Sequence, residues 1–340
     1  MITKEKKPAT TTKHIQALSP QKRHKRAAIN KTMNAMRIDA FGGPEVIHLQ
    51  KIPVPEPREG EVLLKIRAAS VNPVDYKIRL GKYPAVQADQ LPYVLGRDAA
   101  GDVEACGKGV TNFVKGDPIY AFVGIERGCY AEFVIVKETE ASRKPSTLDY
   151  AAAAAVPLAG ITAWQGLFRH GGLKLGQRVL IHAGSGGVGH FAIQFAKAKG
   201  AYVITTVSGE NVDFVRRLGA DEVIDYKKQK FENEVRDVDM VFDLIGGETE
   251  DRSWGVLKKG GILVSTLTLP SQEKAKAHGV RSMRYTAEAS GSELGEIAGL
   301  IDAGKVKPTI SRTFPLKDAV SALQLVEQGH TQGKVVLTVD

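Results

Sequence analysis

The hexapeptide Gly184-Ser185-Gly186-Gly187-Val188-Gly189 constrains this chain more than any other stretch. A G-x-G-x-x-G run alone says little, because glycines are common in loops. Here its surroundings supply the context it needs. The apolar run Val179-Leu180-Ile181-His182 precedes it as a strand. Residues 190–199 follow as a helix carrying Phe191, Ile193, Phe195 and Ala196, and a second strand, 201–205, begins after Lys199-Gly200. Gly184 permits the tight turn, Gly186 lets the backbone approach a pyrophosphate, and Gly189 lets helix and sheet pack closely. The helix start presents N–H groups and a positive dipole end to phosphates. Ser185, Gly187 and Val188 complete the loop. The pattern predicts a dinucleotide-binding βαβ unit.

Apolar strands continue to alternate with helical stretches after this unit, at 222–224, 240–243 and 261–264. That order implies a parallel, doubly wound sheet. Residues 35 to about 136 read differently, as short strands punctuated by Gly and Pro, which suggests a barrel-like or sandwich-like unit. The fold class expected is therefore α/β: a mostly-β catalytic domain at 34–154 and 290–340, joined to a Rossmann domain at 155–289. The stretch 271–278 is polar and basic and reads as a solvated helix or lid. No stretch of about 18 uncharged apolar residues occurs, so no membrane span is expected.

The formal charge of +9 hints at nucleic acid until it is located. Residues 1–33 hold nine Lys or Arg against Glu5 alone, so the remaining chain carries a net +1. This basic, Thr-containing segment is read as a disordered tail. A cytoplasmic location is expected, with organelle import through the tail as the alternative. Nucleic-acid contact is expected nowhere but through that tail. Cys106 and Cys129 stand far apart, too few for a multi-cysteine zinc site, and both are expected as small buried hydrophobes.

An enzyme using NAD usually places an acid at the end of the second strand, on the ribose 2′-hydroxyl. Here that strand runs into Thr206-Val207-Ser208-Gly209, with Glu210 assigned to the following turn. The cofactor expected is NADP(H).

Several further motifs occur together: Asn72-Pro73-Val74-Asp75-Tyr76, Leu95-Gly96-Arg97-Asp98-Ala99-Ala100-Gly101, Leu158-Ala159-Gly160-Ile161-Thr162-Ala163, Phe242-Asp243-Leu244-Ile245-Gly246-Gly247 and Gly333-Lys334-Val335-Val336-Leu337. With them the chain resembles the medium-chain dehydrogenase/reductase superfamily, in its zinc-independent quinone oxidoreductase (zeta-crystallin-like) branch. The resemblance covers position 36 to the C-terminus. It implies a GroES-like catalytic domain, a homodimer, and metal-free hydride transfer from NADPH to a quinone or α,β-unsaturated carbonyl acceptor. Asn72 and Arg97 stand where the zinc-dependent relatives carry metal ligands, and neither replaces a thiolate or imidazole on zinc. The resemblance further places Thr162, Ile245 and Leu267 at the nicotinamide, and Ser208 and Tyr226 at the adenosine phosphate. It places Asn72 and Tyr76 at the acceptor. Lys334 is expected to reach the cofactor site. The branch often has a lysine where this chain has Asn211, and Arg216 or Arg217 is the expected substitute. Two competing readings keep the fold without this activity. One is a cofactor-binding scaffold or RNA-binding protein, the other an alcohol dehydrogenase with an atypical metal site.

Overall fold

Met33, Ala35, Met36 and Ile38 are buried along β1 (Thr32–Ile38), which pairs antiparallel with β2 (Ile47–Pro53). The computed structural model describes residues 1–3, 31–329 and 331–340, so most of the expected basic tail lies outside the described residues. Its expected end at 33 is corrected. Thr32 and Met33 pair with Pro53 and Ile52, and burial of Met33 draws the strand start back to Thr32.

β3 (Glu61–Val71) is the spine of the first sheet. β5 (Asp98–Cys106), β6 (Pro118–Phe122) and β8 (Ala141–Arg143) extend outward from β3, while β7 (Phe133–Lys137) pairs with its other edge; β4 (Tyr93–Val94) adds instead to β1, completing a small separate sheet in the order β2-β1-β4. Cys129 is buried as expected. Cys106 is exposed, because it ends β5 at the turn through Gly107.

The second sheet is parallel. Its strands are β9 (Arg178–His182), β10 (Tyr202–Val207), β11 (Glu222–Asp225), β12 (Val238–Asp243), β13 (Leu257–Ser265) and β14 (Arg281–Arg284), in the order β11-β10-β9-β12-β13-β14. The order reverses beside β9, and a doubly wound sheet opens its ligand crevice at that switch point. Helix Gly189–Ala198 packs Phe191, Ile193 and Phe195 onto the sheet and ends at Lys199-Gly200, where Gly200 takes φ +76°. The polar 271–278 stretch is a helix, Gln272–His278, with only Ala275 buried.

The chain then returns to the first sheet. β15 (Ile310–Pro315) and β16 (Lys334–Thr338) run parallel to each other, and β16 pairs with β3 through Val335–Val71. One hydrophobic cluster joins the two sheets: Ala68, Ala100 and Tyr120 of the first pack with Ala153, Ile161, Phe195 and Phe242 around the second. The residues from Thr32 to Asp340 thus form one compact unit with a cleft between sheets. Helix Gly189–Ala198 is also tied to the returning chain. His190 Nε2 accepts from Thr309 N–H at 3.3 Å, and Gln194 exchanges two hydrogen bonds with the Lys307 backbone.

Candidate functional site

The turn that carries the glycine loop is tightly closed. Ala183 leaves β9 at φ 57°, a left-handed conformation rare for a residue with a side chain. A Cβ on Gly184 would stand 2.1 Å from Thr205 Oγ1, and one on Gly189 would stand 2.2 Å from the Ala183 carbonyl oxygen. Gly186 differs, since a Cβ there meets nothing nearer than the Ala183 oxygen at 3.4 Å. Its open side faces two cavities, one on each flank of the loop.

Two fully buried histidines brace this turn. His182 bonds Thr206 Oγ1 at 3.0 Å and Ser253 Oγ at 2.9 Å. His190 Nδ1 contacts the Gly186 carbonyl at 3.0 Å, so this nitrogen carries the proton while Nε2 accepts from Thr309. Burial pulls both imidazoles down to about 4. Each is neutral in the fold but charges below its ordinary 6.5 when unfolded. The unfolded chain therefore binds more protons between these values, and stability is lost as pH falls from 6.5 toward 4. Each site contributes about 3 kcal/mol over that window. Asp75, raised by burial to about 6, opposes them, as do Asp98 and Glu250, whose carboxyls burial also raises. The histidine contribution is therefore read by difference: from pH 7 to 4.5 the melting temperature of His190→Gln is expected to fall less than that of the wild type. Equal falls in the two proteins would refute it.

The first cavity, ≈ 540 Å³, lies between the sheets. Asn72, Tyr83, Arg97 and Thr162 line it together with Gly186–Gly189 of the loop and Leu267. Thr162 Oγ1 donates to the Leu158 carbonyl at 2.7 Å. Tyr76 is not among the lining residues, which corrects its expected place at the acceptor. It sits on helix Pro73–Arg79, packed in the first sheet's core cluster, where burial and the Glu327 charge push its phenol up, away from proton donation. Tyr83 supplies the cavity's phenol near this helix instead.

Beneath the cavity lies a buried polar network. Asn72 Nδ2 donates to Asp98 Oδ2 at 2.9 Å, and its Oδ1 accepts from Lys334 Nζ. Lys334 also donates to the Val71 carbonyl at 3.2 Å and lies 3.8 Å from Asp98, which further accepts from Ser70 Oγ and Leu158 N–H. Burial pushes the Asp98 carboxyl up and the Lys334 ammonium down, and each charge partly offsets the other's shift. Lys334 therefore does not project into the cofactor space as expected. Its stem passes behind Gly187, 3.2 Å from where a Cβ would sit, and its ammonium is held by the network. Asp98 pairs with Lys334 rather than its chain neighbour Arg97. Asp75 acts as a helix cap, accepting from Asn72 N–H at 2.8 Å.

The second cavity, ≈ 550 Å³, opens on the other flank of the loop and is lined by Ser185, Ser208, Asn211, Tyr226, Lys230, Ile245 and Arg252 among others, with no acid. Ile245 thus lies on this side, apart from Leu267 and Thr162. Ser208 Oγ accepts from Asn211 Nδ2 at 2.8 Å and donates to Glu210 at 3.2 Å. Arg216 and Arg217 do not line this cavity; Arg216 pairs with Asp213 at the surface. The exposed cations on its wall that sequence reading missed are Arg252, which pairs with Glu232, and Lys230, which has no ion pair among the described residues. A lysine in a loop between a strand and a four-residue helix gave no signal of its own.

The residues fit a dinucleotide: a glycine turn open on both flanks, a helix start beside it, and acid-free walls on either side. They do not fit a metal. No three His, Cys, Asp or Glu converge among the described residues, and Asn72 and Arg97 present to the cavity an amide bonded to Lys334 and a guanidinium.

Comparison with known proteins agrees with the dinucleotide reading of the glycine loop. Residues 58–146 match the alcohol dehydrogenase GroES-like domain, and residues 218–337 match the family described as zinc-binding dehydrogenase. The chain is 36% identical to the mouse mitochondrial NAD(P)H oxidoreductase RTN4IP1, over 92% of this chain and 91% of that one. It is 37% identical to a chloroplastic NADPH-dependent alkenal/one oxidoreductase of Arabidopsis thaliana, over 92% and 81%. The structure of a quinone oxidoreductase from Coxiella burnetii superposes with a TM-score of 0.85 at 39% identity, covering 91% of this chain and 100% of that one.

Proposed function

The chain belongs to the medium-chain dehydrogenase/reductase superfamily, in its quinone oxidoreductase branch, and from that premise we propose an NADPH-dependent, metal-free reductase of quinones or α,β-unsaturated carbonyl compounds. That it is an oxidoreductase using a nicotinamide cofactor follows from its relatives. The finer reading rests on one observation. The glycine loop and the Asn72–Tyr83–Thr162 wall share a single cavity, which the Asn72 amide and the Arg97 guanidinium line at the positions where the resemblance puts metal ligands in zinc-dependent relatives.

Bound NADPH supplies a hydride. The protein's own part is to hold and to exclude. Thr162 and Leu267 wall the nicotinamide end of the cavity, and Phe122, Ile125 and Leu158 give the acceptor an apolar bed. The Asn72 amide is committed to Asp98, Ser70 and Lys334, so it fixes the cavity floor. Proton delivery to the reduced acceptor falls to Tyr83 or to solvent. Preference for the 2′-phosphate is carried by Lys230 on an acid-free wall, because a cation there compensates for Asn211, whose side chain is bound by Ser208 and Gln332.

Steady-state assays of NADPH and NADH with a panel of quinones and enones test this. Turnover is expected with NADPH, undiminished after dialysis against a chelator. Lys230→Glu is expected to raise the KM for NADPH about tenfold, the worth of one charge-assisted contact, and to leave that for NADH unchanged. Binding of NADPH without turnover of any acceptor would overturn the reductase reading, and stoichiometric zinc would overturn the metal-free one.

A further inference from the structure

The first cavity contains a charge that hydride transfer does not require. Arg97, on the turn between β4 and β5, is 8% exposed and lines the cavity. Its Nε and Nη2 both donate to the Val123 carbonyl, at 2.9 and 2.8 Å, and its guanidinium lies 4.9 Å from the Phe122 ring centre. Among the described residues it has no ion pair, since the adjacent Asp98 is held by Lys334, Ser70 and Asn72. A buried cation bonded to neutral oxygen alone is unfavourable, because desolvation is not offset by a counter-charge. Across the cleft Arg284, the last residue of β14, lines the same cavity, exposed and likewise without an ion pair. No Asp or Glu is among the lining residues. The rest of the wall is largely apolar, so an incoming anion meets these guanidinium groups with little competing polarity.

We propose that the acceptor carries a carboxylate, bound by Arg97 inside the cavity with Arg284 at its mouth. The substrate class is then an unsaturated keto acid rather than a neutral enone or quinone. This rests on the reductase reading above. The same cavity touches the glycine loop, so the cofactor's own phosphates are the other anion these guanidinium groups could meet, and the experiment separates the two.

β-Acetylacrylate and its methyl ester share one reacting double bond and differ in charge. The ester is intrinsically the better electrophile, so chemistry alone favours it. The wild type is expected to show a kcat/KM about tenfold higher or more for the acid. In Arg97→Met the acid is expected to lose about 10- to 100-fold, the worth of a charge-assisted hydrogen-bond pair. The ester and the KM for NADPH are expected to stay within about twofold. Arg284→Met, at the surface and tolerant of change, is expected to weaken the acid alone by about threefold, in line with a more solvated charge. Calorimetry with levulinate, the saturated product, on protein saturated with NADP⁺ gives a readout independent of turnover. Binding is expected in the wild type and lost in Arg97→Met. If no quinone or enone of the wider panel is reduced, the reductase reading fails and this proposal with it; if that panel is turned over while neither β-acetylacrylate nor its ester is, this proposal alone is overturned. Equal use of acid and ester by the wild type would overturn it. So would a joint loss of both acceptors, a raised KM for NADPH in Arg97→Met, or the absence of levulinate binding. Should Arg97→Met not fold, the wild-type comparison and Arg284→Met carry the decision.

Discussion

Gly189→Ala is expected to destabilise the fold severely, while Gly186→Ala is expected to leave folding intact and remove most cofactor affinity. Both are the same chemical change, three residues apart in one loop. They differ in what the added methyl group meets. At Gly189 it would stand 2.2 Å from the Ala183 carbonyl oxygen and 2.8 Å from Gly184 Cα. Both obstacles are backbone, in a turn that already holds Ala183 at φ 57°, so relief requires helix Gly189–Ala198 to move off β9. Overpacking against a rigid partner costs about 3 kcal/mol or more, which lowers the melting temperature of a unit this large by roughly 5 °C. At Gly186 the nearest atom is 3.4 Å away and the backbone is not left-handed. The methyl group enters space that belongs to both cavities, where a pyrophosphate needs close backbone approach. A loss of about 100-fold in NADPH affinity is expected, equivalent to about 3 kcal/mol. Melting without cofactor and a fluorescence titration with NADPH separate the two effects. An unchanged melting temperature in Gly189→Ala, or wild-type NADPH affinity in Gly186→Ala, would contradict the roles assigned to these positions.

The contrast shows why this part of the protein was legible in the sequence. Strand, glycine turn and helix are contiguous, and their periods and breakers act within about twenty residues. The parallel, doubly wound character of the sheet of β9 to β13 followed from the same local signals. What escaped was set by distant contacts. β14 and β15 are short and largely half-exposed or exposed, with no clean alternation to mark them. Tyr76 was placed at the acceptor by resemblance alone, and a two-turn helix does not announce which side faces the cleft. Asp75, Ile78 and Arg79 take its buried positions, and the phenols on the cavity come from Tyr83, beyond the helix end, and Tyr285. Lys230 sits in a short loop after β11, which the parallel pairing of β11 with β10 brings to the second cavity. The pairing of Asp98 with Lys334 joins the start of one sheet strand to the last strand of the chain. Only the antiparallel register of β16 on β3, itself paired with β5, brings them together.

That pairing carries the second large expectation. Lys334→Met should cost about 3–5 kcal/mol, because it removes the cation from a buried carboxylate that remains in place. Asp98 is fully buried and Lys334 is 3% exposed, so solvent cannot substitute for the lost charge. Adding Asp98→Asn should recover most of the loss, since the amide keeps a partner for Ser70, Asn72 or Leu158 without an uncompensated charge. The pH dependence has a definite sign. Burial already raises the Asp98 carboxyl above its ordinary value, and Lys334 holds part of that rise back. Without the lysine it rises further, so the folded state binds the proton more tightly than the unfolded state. Such a group contributes stability at low pH that is lost as pH climbs through its folded pKa. The deficit of Lys334→Met relative to wild type should therefore be larger at pH 8 than at pH 5, and should lose this slope in the double variant. Comparing each variant with wild type at the same pH cancels the opposite trend from His182 and His190. A deficit that is constant with pH, or one that Asp98→Asn fails to relieve, would mean that Lys334 contributes by packing behind Gly187 rather than by neutralising Asp98.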